Sequence, residues 1–266
     1  MSDGFSVPVT HVSSRDNPLV RELRKLSENS TAYRKQGRVW LEGDHLCRAA
    51  LERGIQPVFA VFSESFWPLG QQIWGQVAIK NIVIADALLP EISGLESPAH
   101  MGFVIDLPTE EPVLPGAASV ILDRVQDAGN VGSILRSAAA FGFGQIIALK
   151  GTAALWSPKV LRAGMGAHFA LRLVEGVDAD TLAGLRVPII VTSSHQGSFL
   201  HQLTGESALP MPCAWALGHE GQGVREELMD RANLKVRIDQ PGGEESLNVA
   251  AAAAICFYAS SLSRHG

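Results

Sequence analysis

The 266-residue chain is poor in cysteine, with Cys47, Cys213 and Cys256 alone. They are odd in number, far apart and never in a CxxC pair. That speaks against a disulfide framework or a zinc site and fits reduced, buried thiols. Charged residues are also sparse, 18% against 46% hydrophobic, a globular and not a disordered balance. The longest fully apolar run, Val249–Ala259, is too short for the ~20 residues of a membrane span, so no membrane association is expected. MSDGFSVPVTHVSSRDNP has no basic stretch leading into an apolar one, so no signal peptide and a cytoplasmic location are expected. A net charge of −5 argues against indiscriminate coating of nucleic acid. GxGxxG, GxxxxGK[ST], GxSxG and HExxH are all missing, which removes the dinucleotide oxidoreductase, phosphate-loop NTPase, α/β-hydrolase and zinc-peptidase readings. His100, His168, His195, His201 and His219 are scattered singly, and no metal site is expected from them.

What is present alternates between short apolar strands and helices. Residues 1–107 read as a small α/β unit. It begins with a helix at Asn17-Pro18, a cap followed by proline at the first position, and ends in a strand at His100–Leu107. Residues 108–118, with prolines, glutamates and a glycine, read as a linker. From 119 to 266 the alternation implies a mainly parallel sheet covered on both faces, whose ligands gather at the C-terminal ends of the strands. Between Arg15 and Arg38 seven basic residues (Arg15, Arg21, Arg24, Lys25, Arg34, Lys35, Arg38) face three acidic ones, an RNA-phosphate surface or a solvated helix face.

Three loops fall at predicted strand ends. Asp123–Ser133 is followed by a helix from Ile134 that carries Arg136, so Asn130 and Arg136 are expected to face an anion near the helix start. A plain helix cap at Asn130 is the alternative. GHEGQGV, from Gly218, follows an apolar strand, with Glu220 placed to accept backbone N–H bonds or to act chemically. IDQPGGEESLN, from Ile238, leads into a helix opened by Ser246 and running to about Leu262. Glycine-rich bends before a helix N-terminus bring a ligand close to bare backbone. They also serve as ordinary connections. The last helix is apolar nearly all round, as a buried core helix or a subunit interface would be.

Taken in order, these loops resemble the three motifs of the SpoU/TrmH family of RNA ribose methyltransferases in the SPOUT superfamily. Asp123, Val125, Asp127, Asn130, Gly132, Arg136, Ser137, Ala138, Phe141 and Gly142 match the first motif. Gly218, Glu220, Gly223 and Val224 match the second, and Ile238, Gly242, Ser246, Leu247, Asn248 and Val249 the third. The departures are Ala128 for the usual proline and Asp239-Gln240 for Pro-Met. The N-terminal part (NPLVRELRKL, then RVWLEGDHLCRAAL) is similar to the substrate-binding domain of many members. The resemblance implies a C-terminal parallel-sheet domain with a trefoil knot, against the general rule that chains do not knot. It implies S-adenosylmethionine as cofactor, contacted by Gly218, Ile238 and Leu247, and a homodimer joined through the C-terminal domain. Catalytic roles carry over to Arg136, Asn130, Glu220, Ser246 and Asn248. A guanidinium rarely gives up its proton, its pKa being above ~12. Arg136 is therefore expected to orient the ribose hydroxyl and adjacent phosphate, with Asn130, Ser246 and Asn248 positioning the ribose and Glu220 holding the cofactor loop. The expected activity is methylation of a ribose 2′-hydroxyl, of ribosomal RNA ahead of transfer RNA. A non-catalytic RNA-binding factor is the alternative.

Overall fold

Helix α1 (Pro18–Glu28) begins as its Asn-Pro start requires. Asn17 Oδ1 accepts from the Leu19 N–H at 2.9 Å, and Pro18 occupies a position that needs no N–H. Val20, Leu23 and Leu26 recur at helical spacing and are buried. The computed structural model describes residues 7–109, 111–193, 195–203, 209–242 and 247–262. It divides into two units, Met1–Thr109 with Trp156–Phe169, and Glu110–Leu155 with Ala170–Gly266.

The first unit is built on strands β1 (Val9–Val12), β2 (Arg38–Glu42), β3 (Phe59–Ser63), β4 (Lys80–Ile84) and β5 (Met101–Asp106), in the order β1-β4-β3-β5-β2. β5 runs antiparallel to β2 and β3, and the remaining pairs are parallel. Helices α2 (Ala32–Gln36), α3 (Asp44–Glu52), α4 (Trp67–Trp74) and α5 (Leu89–Ile92) are short and lie between the strands in the chain. Trp156–Phe169 groups with this unit, although the sequence reading placed it in 119–266: Gly166 has φ +85°, and a Cβ there would lie 2.5 Å from Ala49 Cβ. A close approach of this kind leaves no room for a side chain.

The second unit is a parallel sheet of seven strands. They are β6 (Ser119–Asp123), β7 (Gln145–Leu149), β8 (Arg172–Val177), β9 (Ile189–Thr192), β10 (Ser198–Phe199), β11 (Ala214–Gly218) and β12 (Leu234–Arg237), ordered β10-β12-β9-β11-β6-β7-β8. β6, β7, β9 and β11 are buried apolar runs, as strands covered on both faces must be. Their inner face packs Ile121, Ile147, Val191 and Ala216 with Leu228. Fully buried side chains of this kind stabilise the fold by ~1.5–3 kcal/mol each. Helices α6 (Ala128–Ala140), α8 (Glu226–Arg231) and α9 (Val249–Leu262) belong to this unit, and α7 (Pro158–Gly164) to the first. α9 packs on α6 and β11, with the Phe143 and Phe257 rings 4.8 Å apart and Trp215 Nε1 donating to Ser260 Oγ at 2.9 Å.

Two boundaries differ from expectation. α6 starts at Ala128 and not Ile134, because the Asp127 side chain accepts from the Asn130 N–H at 2.7 Å and caps the helix there. Asn130 and Gly132 are thus helical, not loop. α9 starts at Val249, capped by Asn248, whose Oδ1 accepts from the N–H groups of Ala250 and Ala251 at 2.9 and 3.2 Å. Ser246, expected to open this helix, lies outside the described residues. The short strands β1 and β10 were not anticipated; at four and two residues they carry too little alternation to be read.

Candidate active site

The register between β11 and β6 sets Gly218 level with Asp123, so two of the motif loops leave the sheet side by side. Glu220 reaches across and takes over the N-terminus of α6. Its carboxylate accepts from the N–H groups of Gln126 and Asp127 at 3.3 and 3.2 Å and from Asn130 Nδ2 at 3.1 Å. In an ordinary capping box the third helical residue bonds back to the cap N–H. Here Glu220, 93 residues further along, bonds the Asp127 N–H instead. Asn130 Oδ1 in turn accepts from Asn248 Nδ2 at 2.9 Å, and Asn248 caps α9. One hydrogen-bonded chain, Glu220–Asn130–Asn248, therefore joins all three motifs.

Burial pushes the Glu220 carboxyl up, but its own backbone N–H, Asn130 and the Asp127 and Gln126 N–H groups outweigh it. The net effect holds it below the usual carboxylate range. A carboxylate so engaged is an acceptor that orders a loop, not a base poised to take a proton. The loop itself is a tight hairpin: a Cβ at Gly218 would lie 2.1 Å from Gly223 C and Val224 N. His219 Nδ1 accepts from the N–H groups of Gly221 and Gln222 at 3.0 and 3.2 Å.

A second anchor lies beneath, and the sequence reading missed it. Asp123 is fully buried and binds Arg225 three times, through its N–H at 2.8 Å, its Nε at 2.6 Å and its Nη2 at 2.5 Å, with Arg124 Nε at 3.2 Å. Burial raises the Asp123 carboxyl, and the Arg225 and Arg124 hydrogen bonds more than offset it, leaving it lowered. Arg124 adopts φ 60° and donates to Gln222 Oε1 at 3.0 Å, so it too ties the first motif to the second. Asp123 was legible as a motif residue ending an otherwise apolar strand; its pairing with Arg225 was not.

Arg136 is exposed, and among the described residues it has no hydrogen-bond or ion-pair partner. Six positions beyond Asn130 on one helix, it lies about 9 Å along the axis and about 120° around it. The two do not share a helix face, contrary to the expectation that both face one anion. Of the expected cofactor contacts, Gly218 is buried, Ile238 half-buried and Leu247 39% exposed. Among the described residues nothing lies within 4 Å of where a Cβ at Gly242 would point.

The basic set lies in the first unit and is largely engaged there. Arg15 and Arg24 pair with Glu91, Arg21 with Asp16 and Arg38 with Glu22. Arg38 also lies over the Phe59 ring at 5.0 Å, and Arg34 over Tyr33 at 5.5 Å. Lys25 and Lys35 complete the set. The three cysteines are buried and joined by no disulfide, and burial raises the Cys47 and Cys256 thiols. Among the described residues no cluster suited to a metal occurs, and no helix is long and apolar enough to cross a membrane.

Comparison with known proteins bears on this geometry. The profile of the SpoU rRNA methylase family matches residues 117–258. The chain is similar, at 28% identity over 251 residues, to the 23S rRNA (guanosine(2553)-2′-O)-methyltransferase RlmP of Bacillus subtilis, covering 93% of this chain and 97% of that one. It is similar to an AdoMet-bound rRNA methyltransferase structure from Sinorhizobium meliloti, with a TM-score of 0.81 and 26% identity over 97% of this chain and 98% of that one. A structure of an RNA 2′-O ribose methyltransferase gives a TM-score of 0.78 at 28% identity, over 97% of this chain and 100% of the other.

Proposed function

Since the chain belongs to the SpoU rRNA methylase family, we propose that it transfers a methyl group from S-adenosylmethionine to a ribose 2′-hydroxyl of ribosomal RNA. The observation that carries this reading is the Glu220–Asn130–Asn248 chain, which ties three motif loops together at the C-terminal edge of a parallel sheet. The ribosomal substrate rests on the Bacillus subtilis relative, whose name assigns it a 23S rRNA guanosine.

The residues present fit the cofactor. Gln240 Oε1 is buried without a hydrogen-bond donor among the described residues, an acceptor suited to an amino group of the ligand. Ile238 and Leu247 offer apolar contact, and Gly242, with no described residue within 4 Å of its Cβ position, offers a ligand bare backbone. The cofactor, when bound, supplies an electrophilic methyl group on a sulfonium. Gly218 permits the hairpin that shapes the loop, and Glu220 holds that loop on α6. Asn130, Asn248 and Ser246 position the ribose, and Arg136 orients its hydroxyl and the neighbouring phosphate. Alignment of two bound reactants contributes ~7–11 kcal/mol toward a bimolecular barrier in favourable cases.

The same reading divides the chain into an RNA substrate-binding domain at 1–107, a linker at 108–118 and a methyltransferase domain at 119–266 carrying the trefoil knot. Arg15, Arg21, Arg24, Lys25, Arg34, Lys35 and Arg38 are its RNA-facing cations, and the location is cytoplasmic. It also makes the protein a homodimer through its C-terminal domain. α9 leaves Ala251, Ile255, Tyr258 and Leu262 exposed along one stripe, an apolar face that a second copy would cover. Methyl transfer from labelled S-adenosylmethionine onto unmodified total RNA, with mapping of alkali-resistant linkages, tests the activity. Label found only on a base sinks the ribose chemistry.

A further inference from the structure

Most arginines of the N-terminal basic set are neutralised by carboxylates of their own unit. The edge of the parallel sheet holds cations of another kind. Lys235 and Arg237, on β12, form no ion pair among the described residues, and they bond to neutral groups. Lys235 Nζ reaches Gln196 Oε1 at 3.5 Å, and Arg237 Nε donates to Gly197 O at 3.1 Å. Phe199 is the cross-strand partner of Arg237 in the β10–β12 ladder, so their side chains rise on one face of the sheet. The Arg237 guanidinium carbon lies 4.2 Å from the centre of the Phe199 ring. The His201 ring stacks on Phe199, with centroids 5.5 Å apart and planes inclined by 25°. Gly197 has φ +100°, and a Cβ there would lie 2.1 Å from Lys235 O, so only glycine lets β10 approach β12 this closely.

A cross-strand cation–π pair by itself is an ordinary way to steady a short edge strand. His201 is not explained that way. It lies beyond the strand, in the 3₁₀ turn Leu200–Gln202, adds nothing to the ladder, and is exposed. Three planar groups packed together, His201 among them exposed, with cations beside them that form no ion pair among the described residues, are what single-stranded RNA binds: a π-face for a base and positive charge for its phosphate. The position suits that use. Arg237 precedes Ile238, and β12 is two strand spacings of ~4.8 Å from β11, where Gly218 lies. The span of ~10 Å is about that of three stacked nucleotides at ~3.4 Å.

Resting on the methyltransferase reading, the geometry points to Phe199, His201 and Arg237 as a stacking platform for a base that flanks the methylated nucleotide in single-stranded RNA. Lys235 and Arg237 meet its backbone.

The full-length protein is titrated with a short labelled single-stranded RNA oligomer and with the same oligomer carrying abasic positions, in parallel with calorimetry of S-adenosylmethionine. Phe199→Leu keeps apolar volume and removes the π-face, His201→Ala removes the outer plane, and His201→Tyr keeps it. The first two are expected to weaken RNA binding about tenfold. They should also raise KM on fragmented unmodified RNA, leave kcat and cofactor affinity unchanged, and lose the preference for the oligomer with bases. His201→Tyr should stay near wild type. The platform is overturned if Phe199→Leu and His201→Ala both bind RNA as wild type does, if both lose cofactor affinity in step with RNA, or if wild type binds neither oligomer. RNA binding that depends on the stack, in a protein that transfers no methyl group, would instead sink the activity and leave the platform standing.

Discussion

Asn248 Nδ2 donates to Asn130 Oδ1 at 2.9 Å, joining the starts of two helices that are 118 residues apart in the chain. The same Asn248 caps α9 through its own Oδ1, and the same Asn130 gives its amide to Glu220. Neither asparagine has a spare role to lose. Asn248→Ala removes the cap and the link together and should lower stability by about 1 kcal/mol, the cost of a lost cap, read as a fall in Tm. Asn130→Asp places a second carboxylate against Glu220, and a larger loss of methyl transfer than with Asn130→Ala is expected in a single-turnover assay.

Glu220 has a lowered carboxyl in the folded protein, so its contribution to stability is present above the unfolded-state value of ~4.3 and is lost as pH falls through the lower folded value. Asp123 acts in the same direction. In acid titrations followed by circular dichroism, Glu220→Gln should be less stable than wild type at neutral pH and should lose stability less steeply on the acid limb. Parallel acid limbs in the two proteins would remove this role.

Asp123 is the buried end of the Arg225 pair. Asp123→Asn leaves the Arg225 guanidinium without its charge partner beneath the hairpin, and removing one member of a buried pair costs about 3–5 kcal/mol. Because Arg225 keeps part of its exposure, the lower end of that range is expected in urea unfolding. S-adenosylmethionine affinity should fall with it, since Gly218–Gly223 is held from below by this pair.

Arg136 is exposed and makes no hydrogen bond or ion pair among the described residues. Arg136→Ala should leave Tm and calorimetric cofactor binding unchanged and reduce turnover on RNA by at least about a hundredfold, the scale of a lost transition-state donor. Full turnover in this variant would show that it orients nothing.

Much of the second unit was legible because buried parallel strands are continuous apolar runs, and SVILD, QIIAL and AWALG are each a strand of this kind. The motif residues were legible as types, glycines at bends and asparagines near helix starts, but the cap of α6 was expected at Asn130 and is Asp127. Where α6 starts was not legible. Ala128–Ser133 lacks an apolar repeat, and the helix is set there by Asp127 within the chain and by Glu220 from another loop.

The sequence by itself determined which segments are apolar, where backbone must bend through glycine, and therefore an α/β chain with polar loops at its strand ends. Only the tertiary structure decided that Glu220, Asn130 and Asn248 form one chain of hydrogen bonds, that Asp123 is clasped by Arg225, and that Phe199 lies under Arg237. The physical reason is range. Periodicity and capping act over a few residues, whereas each of these contacts depends on strand order and register, which bring together side chains 38 to 118 positions apart.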